Sequence, residues 1–373
     1  MSLIYFDHNS TTYLLEDVKI AMTDLMDMPY NSSSIHNYGR KAKYIIEESR
    51  RNILKLLNIK NNKYDIVFTS SGTEANNLII SNYKDKIVIT SPIEHLSILN
   101  CAKLSQNSIF IKLQEDGLVN LNYLEDILKK NPSSNDILVS IMYANNETGI
   151  IEQIKEICNL CNKYNVRFHT DAVQAIGKID LDIEGLNIDF LTLSAHKFGG
   201  PIGAALLLYK KDANLLPSIY GGGQEKNLRS GTENVIAIRG LEKALEITTK
   251  NSVVNIQKMK YLRDKLEENI ILKSPNVNII GKNLNRLPNT SNIIMSGVQS
   301  TKQLIEFDLR NIAVSSGSAC SSGKVGKSHV LKAMNIDDKD IACSIRISLN
   351  HRNTEDEVNR FVEIWNEIYK VSI

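Results

Sequence analysis

The chain lacks the features that direct a protein to a membrane or to nucleic acid. Its formal net charge is only +2, too small for a field that attracts DNA, RNA or a membrane surface. No apolar run approaches the ~20 residues that span a bilayer. Residues 1–12 include charged and polar groups and contain no long apolar core followed by a cleavage site, which is unlike a secretory signal. We therefore predict a cytoplasmic protein that binds small ligands and contacts neither nucleic acid nor membrane.

Cysteine is also scarce. The five cysteines are an odd number scattered over a long chain, which argues against a disulfide framework and predicts free thiols. Cys158 and Cys161 are spaced like half of a metal site, but no second pair or histidine cluster completes four ligands. Their helical sequence context favours packed thiols instead, and no metal site is predicted.

The glycine fingerprints of nucleotide-binding proteins are incomplete in this sequence. Gly326, Lys327 and Ser328 resemble the end of a P-loop, yet Ser321 occupies the position of its first glycine. No dinucleotide pattern is complete either. The sequence shows no internal repeat and no low-complexity segment.

What the chain does have is an alternation of β and α patterns. Six short, mostly apolar runs predict buried strands, at residues 65–69, 86–90, 137–142, 166–170, 190–194 and 204–209. Helical patterns lie between them at residues 73–82, 121–130 and 151–164. This alternation predicts a three-layer α/β/α domain with a mainly parallel sheet.

The last third of the chain has a different pattern. Residues 233–270 are helical with a predicted break near Asn251, and short strands follow at 277–280, 292–295 and 343–348 before a final helix at 354–369. Because 373 residues exceed the usual size of one domain, we predict two. The large α/β domain spans residues 16–255, and a smaller α+β domain is formed by 1–15 and 256–373.

Two segments of the large domain carry polar groups at strand ends. Ser71, Gly72 and Thr73 precede a predicted helix, where backbone N–H groups attract an anion, although simple helix capping explains them equally. Asp171 and Lys197 each follow a predicted strand, where open α/β sheets bind ligands. Such a pair can hold a pyridinium nitrogen protonated and form a Schiff base. A plain salt bridge is the alternative.

Short motifs then stand in one order along nearly the whole chain. They are SSGTEANN from Ser70, NNETG from Asn145, TDAVQ from Thr170, SAHKFGG from Ser194, RSGT from Arg229 and SSGSACSSGK from Ser315. Together they resemble the cysteine desulfurase branch of the class V aminotransferases, which are fold-type I pyridoxal-phosphate (PLP) enzymes. The last motif resembles the iron–sulfur and nitrogen-fixation members of that branch.

The resemblance implies a role for each matching position. Lys197 would be the Schiff-base lysine, Asp171 the partner of the pyridine nitrogen, and His95 the imidazole stacked on the ring. Asn146 and Gln174 would contact the phenolic oxygen. The phosphate would be held by Gly72, Thr73, Ser194 and His196, with Thr232 from the second subunit of a homodimer. Without the motifs, His95 is as well explained as a hydrogen-bonded loop histidine.

Two further positions would define the substrate chemistry. Arg346 matches the clamp on the substrate α-carboxylate, a task that suits a planar guanidinium; an exposed cross-strand ion pair is the alternative. Cys320 lies among serines and glycines, in a segment too polar for a core. The resemblance implies that its thiolate takes sulfur from L-cysteine, releases alanine and passes the persulfide to an iron–sulfur scaffold or a thiolation factor.

Two other functions remain open from the sequence. A selenocysteine lyase or another class V aminotransferase would keep the cofactor and change the reaction. A non-catalytic scaffold that binds partners would keep only the fold. The presence of Lys197, Asp171 and Cys320 together favours the enzyme.

Overall fold

The computed structural model describes residues 3–105, 107–131, 136–274, 277–317 and 327–372. The strands are β1 (Ile4–Tyr5), β2 (Tyr64–Thr69), β3 (Ile87–Thr90), β4 (Ser108–Phe110), β5 (Ile137–Ser140), β6 (Arg167–Asp171), β7 (Phe190–Ser194), β8 (Ala205–Lys210), β9 (Asn278–Ile279), β10 (Thr290–Ile294), β11 (Ile312–Ala313) and β12 (Ser344–Ser348). The helices are α1 (Glu16–Thr23), α2 (Asn37–Leu56), α3 (Gly72–Ser81), α4 (Leu96–Ala102), α5 (Leu121–Lys130), α6 (Ile154–Lys163), α7 (Val235–Lys250), α8 (Ser252–Lys273), α9 (Ser300–Asp308), α10 (His329–Ala333), α11 (Asp338–Ile341) and α12 (Glu355–Ser372).

A seven-stranded sheet forms the centre of the large domain. Its order is β2-β8-β7-β6-β5-β3-β4. The five strands from β7 to β4 are parallel, and β8 runs antiparallel to both of its neighbours. The sequence therefore predicted a mainly parallel sheet correctly. The direction of β8 follows from its short connection to β7, since a parallel crossover needs a dozen or more residues.

Apolar side chains cover both faces of this sheet. In β8, Leu206 and Leu208 pack into one buried cluster with residues of α2, α5, α6 and α7, whereas Leu207 packs into another with residues of α3 and α4. Successive strand residues point to opposite faces, so a continuous apolar run is buried on both sides. The result is the three-layer α/β/α arrangement that the alternation predicted.

A second, smaller sheet lies near the end of the chain. Strands β9, β10 and β12 pair antiparallel in the order β12-β10-β9, and β1 pairs with β11. Phe307, Phe361 and Trp365 pack beneath them, with the Phe307 and Phe361 rings stacked at 4.6 Å between centroids. This confirms the α+β character of the C-terminal part. The domain boundaries at residues 15 and 255 stay a prediction.

Most predicted elements are confirmed to within a few residues. The break near Asn251 is confirmed, because that residue separates α7 from α8. The sequence analysis missed α2, whose 20 residues pack against α7. Cys101, Cys158, Cys161 and Cys343 are free thiols, and Cys158 and Cys161 are buried in the core as predicted. Among the described residues, no helix is long and apolar enough to cross a membrane.

The buried carboxyl of Glu152 gives a pH-dependent prediction. The side chain is 4% exposed, accepts one hydrogen bond from the Val119 backbone N–H, and its Oε1 has no partner among the described residues. Burial raises its pKa to about 7. The unfolded state therefore loses this proton near pH 4.5, whereas the folded state keeps it up to about pH 7. The stability that the protonated carboxyl contributes below pH 4.5 is lost as the pH rises through 7.

Replacing Glu152 with glutamine should remove this pH-dependent loss of stability. The unfolding free energy of Glu152→Gln relative to the parent is expected to rise between pH 4.5 and 8, by an amount on the order of 3 kcal/mol. Urea unfolding at both pH values measures it. Glu156→Gln, at an exposed position of α6, is the matched control and should show no such trend. A pH-independent difference for Glu152→Gln would show that this carboxyl is ionised in the fold.

Candidate active site

The carboxyl ends of two neighbouring strands bring the predicted Asp171 and Lys197 together. Asp171 is the last residue of β6, and Lys197 lies in the 3₁₀ turn Ala195–Lys197 directly after β7. These strands are parallel neighbours, with Asp171 opposite Thr192. Both side chains line one cavity of about 310 Å³, at the sheet edge where ligands of α/β proteins bind.

The same cavity collects all but two of the predicted site residues. It is lined by Gly72, Thr73, His95, Asn146, Asp171, Gln174, Ser194, His196, Lys197 and Arg346. Thr232 does not line it; this residue is exposed and borders a neighbouring pocket. Cys320 lies outside the described residues. The roles of all these residues stay predictions.

One end of the cavity is suited to an anion. It is formed by the first turn of α3, where Ser71 caps the helix by accepting from the Glu74 backbone N–H at 3.1 Å. The capping alternative is therefore correct for Ser71. Gly72 and Thr73 line the cavity, and backbone N–H groups in the first turn of a helix have no acceptor within the helix. A Cβ at Gly72 would lie 3.2 Å from Val173, so the glycine permits close packing at this turn.

His196 adds a neutral donor beside this helix end. Burial, followed by the Lys197 charge, lowers its pKa to about 4, so the imidazole is uncharged near neutral pH. Its Nδ1 lies 3.2 Å from the Thr11 hydroxyl. A neutral imidazole keeps one N–H to donate, and His196 and Ser194 line the same cavity as this turn.

Asp171 and His95 are joined by a network that the sequence analysis missed. Asn76 Nδ2 donates to Asp171 Oδ2 at 2.7 Å and to Ser97 Oγ at 2.9 Å. Ser97 Oγ in turn lies 2.7 Å from His95 Nδ1. Asn76 was visible in SSGTEANN, one helical turn after Gly72, but its inward direction depends on how α3 packs on the sheet.

Hydrogen bonds also fix the tautomer of a neutral His95 imidazole and the orientation of the Asp171 carboxylate. His95 Nδ1 accepts from the Ser97 backbone N–H at 3.1 Å, so a neutral ring carries its proton on Nε2. The second oxygen of Asp171 accepts from the Val173 backbone N–H at 3.0 Å. The carboxylate, only 7% exposed, is thus held in one orientation as an acceptor at the cavity wall.

Lys197 is positioned by the N-terminal segment of the chain. Its Nζ donates to the backbone carbonyls of Asn9 at 2.7 Å and Ser10 at 2.6 Å. Asn9 O also accepts from Gln174 Nε2 at 2.9 Å. Asn9 and Ser10 line the cavity but were not predicted, because a backbone carbonyl leaves no signal in a sequence.

Arg346 lines the cavity and has a buried donor that is left unpaired. The residue is 2% exposed on β12, which excludes the exposed cross-strand alternative. Its Nη2 donates to Asp7 Oδ1 at 2.6 Å and its Nη1 to the Asn146 carbonyl at 3.1 Å. Nε is buried without a partner among the described residues. A buried donor left unpaired is costly, and a ligand oxygen would satisfy it.

Glu147 lies next to Gly317 and Ser328, which stand on either side of the segment that contains Cys320. Its carboxylate accepts from Ser328 Oγ at 2.5 Å, and a Cβ at Gly317 would lie 2.6 Å from Glu147 Oε2. Ser315 exchanges backbone hydrogen bonds with Arg346. The described residues on both sides of positions 318–326 therefore lie next to the cavity. Burial raises the Glu147 pKa to about 7.

Comparison with known proteins agrees with this architecture. The family model described as aminotransferase class-V matches residues 4–361. The cysteine desulfurase IscS of Dictyoglomus turgidum is 37% identical over 98% of this chain and 94% of its own length. The cysteine desulfurase IscS 1 of Archaeoglobus fulgidus is 38% identical over 96% of this chain and 95% of its own.

A solved structure shows the same fold. The NifS-like protein of Rickettsia africae superposes with a TM-score of 0.92 at 44% identity, covering 99% of each chain. SspA, solved in complex with cysteine, has a TM-score of 0.76 at 29% identity over 94% of this chain and all of its own. The chain therefore belongs to the class V aminotransferase family and has the fold of its NifS-like members.

Proposed function

We propose that this protein is a PLP-dependent cysteine desulfurase that converts L-cysteine to L-alanine and retains the sulfur as a persulfide on Cys320. One observation carries the proposal: a single cavity is lined by the first turn of α3, Asp171, Lys197 and Arg346, whose buried Nε has no partner among the described residues. The relatives named cysteine desulfurase, at 37–38% identity over nearly the full chain, support it.

The residues of the cavity fit the chemistry of PLP. The first turn of α3 with Ser194 and the neutral His196 would hold the phosphate, and Asp171 would face the pyridine nitrogen. Thr232 would complete the phosphate site of the partner in a homodimer. When bound, the cofactor supplies an acceptor for the electron pair that remains after the substrate loses its α-proton.

Residues of the chain itself then have separate roles in the reaction. Arg346 would bind the substrate carboxylate through its guanidinium, which also donates to Asp7 and to the Asn146 carbonyl. Lys197 Nζ removes the α-proton, since it is the amine held at the cavity wall. Asp171 keeps a proton on the ring nitrogen as a fixed carboxylate acceptor. His95, with its proton on Nε2, can donate to or accept from the reacting groups.

Sulfur transfer is assigned to Cys320. Its thiolate attacks the substrate sulfur, so that an S–S bond forms while the C–S bond breaks and its electron pair remains with the substrate carbon. Protonation of that carbon, together with the return of a proton to the α-carbon, gives alanine. The outer sulfur of the persulfide then passes to an acceptor, for which we propose an iron–sulfur scaffold or a thiolation factor.

The test is a direct assay of both products. Protein loaded with PLP should form L-alanine from L-cysteine and, with a thiol reductant present, an equal amount of sulfide. Without reductant, mass spectrometry should find one extra sulfur on the Cys320 peptide. Alanine formed from selenocysteine but not from cysteine would identify a selenocysteine lyase. No turnover of either compound would contradict the proposal.

The unpaired donor of Arg346 gives a prediction for substrate binding. Arg346→Gln should raise KM for L-cysteine by about 10- to 100-fold, the loss expected for one charged hydrogen bond of about 1.5–3 kcal/mol. Steady-state kinetics measures it, with L-cysteine methyl ester as the matched substrate because its carboxylate is neutralised. An equal penalty on the acid and the ester would show that Arg346 acts on the fold and not on the carboxylate.

A further inference from the structure

A second cavity, of about 120 Å³, shares the Lys197 side chain with the first. Residues 8–12 separate the two spaces: Asn9 and Ser10 line the first cavity, whereas His8 and Thr12 line the second. The far wall is formed by the α7–α8 junction and by Leu349, Asn350, His351 and Arg352. A water molecule needs roughly 10–15 Å³ of such space, so a small polyatomic ion fits.

The charges around this cavity have one sign. Its histidine, lysine and arginine side chains are His8, Lys178, Lys197, His351 and Arg352, and no aspartate or glutamate is among the described residues that line it. Lys178, Arg352 and His351 all lower the pKa of His8, after burial itself. A cavity with basic walls and no acid attracts anions.

Several donors at this cavity have no protein acceptor. The side chains of His351 and Arg352 make no hydrogen bond or ion pair with any described residue. His8 is only 4% exposed and is already engaged: its Nδ1 lies 2.7 Å from Thr12 Oγ1, and its ring has a backbone hydrogen bond with Tyr5. Burial lowers its pKa to about 3, so the ring is neutral.

Lys178 connects the cavity to the proposed catalytic residues. Its buried amine donates to Gln174 Oε1 at 2.8 Å and to Asn9 Oδ1 at 3.2 Å. Burial, followed by Lys197 and Arg346, lowers its pKa to about 7. A buried ammonium with only neutral acceptors lacks a counter-ion, and an anion in the cavity would supply one while stabilising the contacts of Lys178 with Asn9 and Gln174.

We propose that this second cavity is a binding site for a small oxyanion of phosphate size. His351 and Arg352 bind the anion at the wall, and Lys178 provides the buried positive charge. The ligand class follows from the size of the cavity and from the donors, which are all N–H groups on basic side chains. Inorganic phosphate is the probe, and sulfate and acetate distinguish a tetrahedral oxyanion from a carboxylate.

The experiment is a calorimetric titration of phosphate into protein saturated with PLP, so that the phosphate site of the first cavity is already filled. Chloride keeps the ionic strength constant. The double variant with His351→Gln and Arg352→Gln should bind phosphate at least tenfold more weakly. Arg51→Gln, which removes one exposed arginine from α2, should bind like the parent. Thermal unfolding establishes that each variant is folded.

The outcomes separate this cavity from the substrate site. Binding that is weakened in the double variant and unchanged by saturating L-alanine supports the proposal. Binding that L-alanine abolishes would place the ion at Arg346 and overturn it. An unaltered affinity in the double variant, or no binding by the parent at tens of millimolar phosphate, would overturn it as well.

Discussion

Replacing Cys320 with serine is expected to lower alanine formation from L-cysteine by about three orders of magnitude or more, with PLP still bound. A serine hydroxyl is not ionised near neutral pH and is a poor nucleophile towards sulfur, so the C–S bond of the substrate stays intact. Amino-acid analysis after a single turnover measures the alanine, and the visible absorption of the bound cofactor measures its retention.

Cys101→Ser is the matched control for this variant. Cys101 lies on α4, is partly buried, and has a pKa raised by burial, so its thiol is a weaker nucleophile near neutral pH. This variant should keep the parent's rate. If Cys101→Ser lost the activity and Cys320→Ser retained it, the sulfur acceptor would be assigned to the wrong thiol.

Replacing Lys197 with alanine should lower turnover by about 10³-fold or more and abolish covalent attachment of the cofactor. The fold should survive, because the variant loses two hydrogen bonds to Asn9 and Ser10 carbonyls, each worth about 1 kcal/mol. Borohydride reduction followed by denaturing mass spectrometry measures the attachment as an added mass on the parent protein.

Two lysines make this test specific. Lys211→Ala removes an exposed amine just after β8 and should leave both attachment and turnover unchanged. Lys178 is a buried amine that lines the neighbouring cavity and donates to Gln174. If its replacement, and not that of Lys197, removed the added mass, the assignment of the covalent lysine would be wrong.

Local signals in the sequence predicted the elements that position the site. The run ALLL at residues 205–208 of β8 is apolar at every position because both faces of the strand are covered, and such a pattern predicts a buried strand. The polar residues at the carboxyl ends of β6 and β7 can then be identified from their position after each predicted strand. Asp171 and Lys197 were predictable for that reason, together with the order of the motifs.

Contacts between distant segments could not be predicted in this way. Asn9 contacts Lys197, Lys178 and Thr290, which are far from it in sequence, and part of this contact runs through its backbone. Periodicity reports which face of an element is buried but not which element covers it. Asn76, between Ser97 and Asp171, was missed for the same reason.

The sequence by itself determined the α/β alternation, the strand ends that carry Asp171 and Lys197, and the family, because each of these depends on residues that are close together in the chain. Only the tertiary structure decided that ten of the predicted residues surround one cavity and that a second, basic cavity lies beside it. Residues of the N-terminal segment 8–12 line both cavities together with residues that are distant in the sequence. Such packing between distant segments is decided only when the whole chain folds.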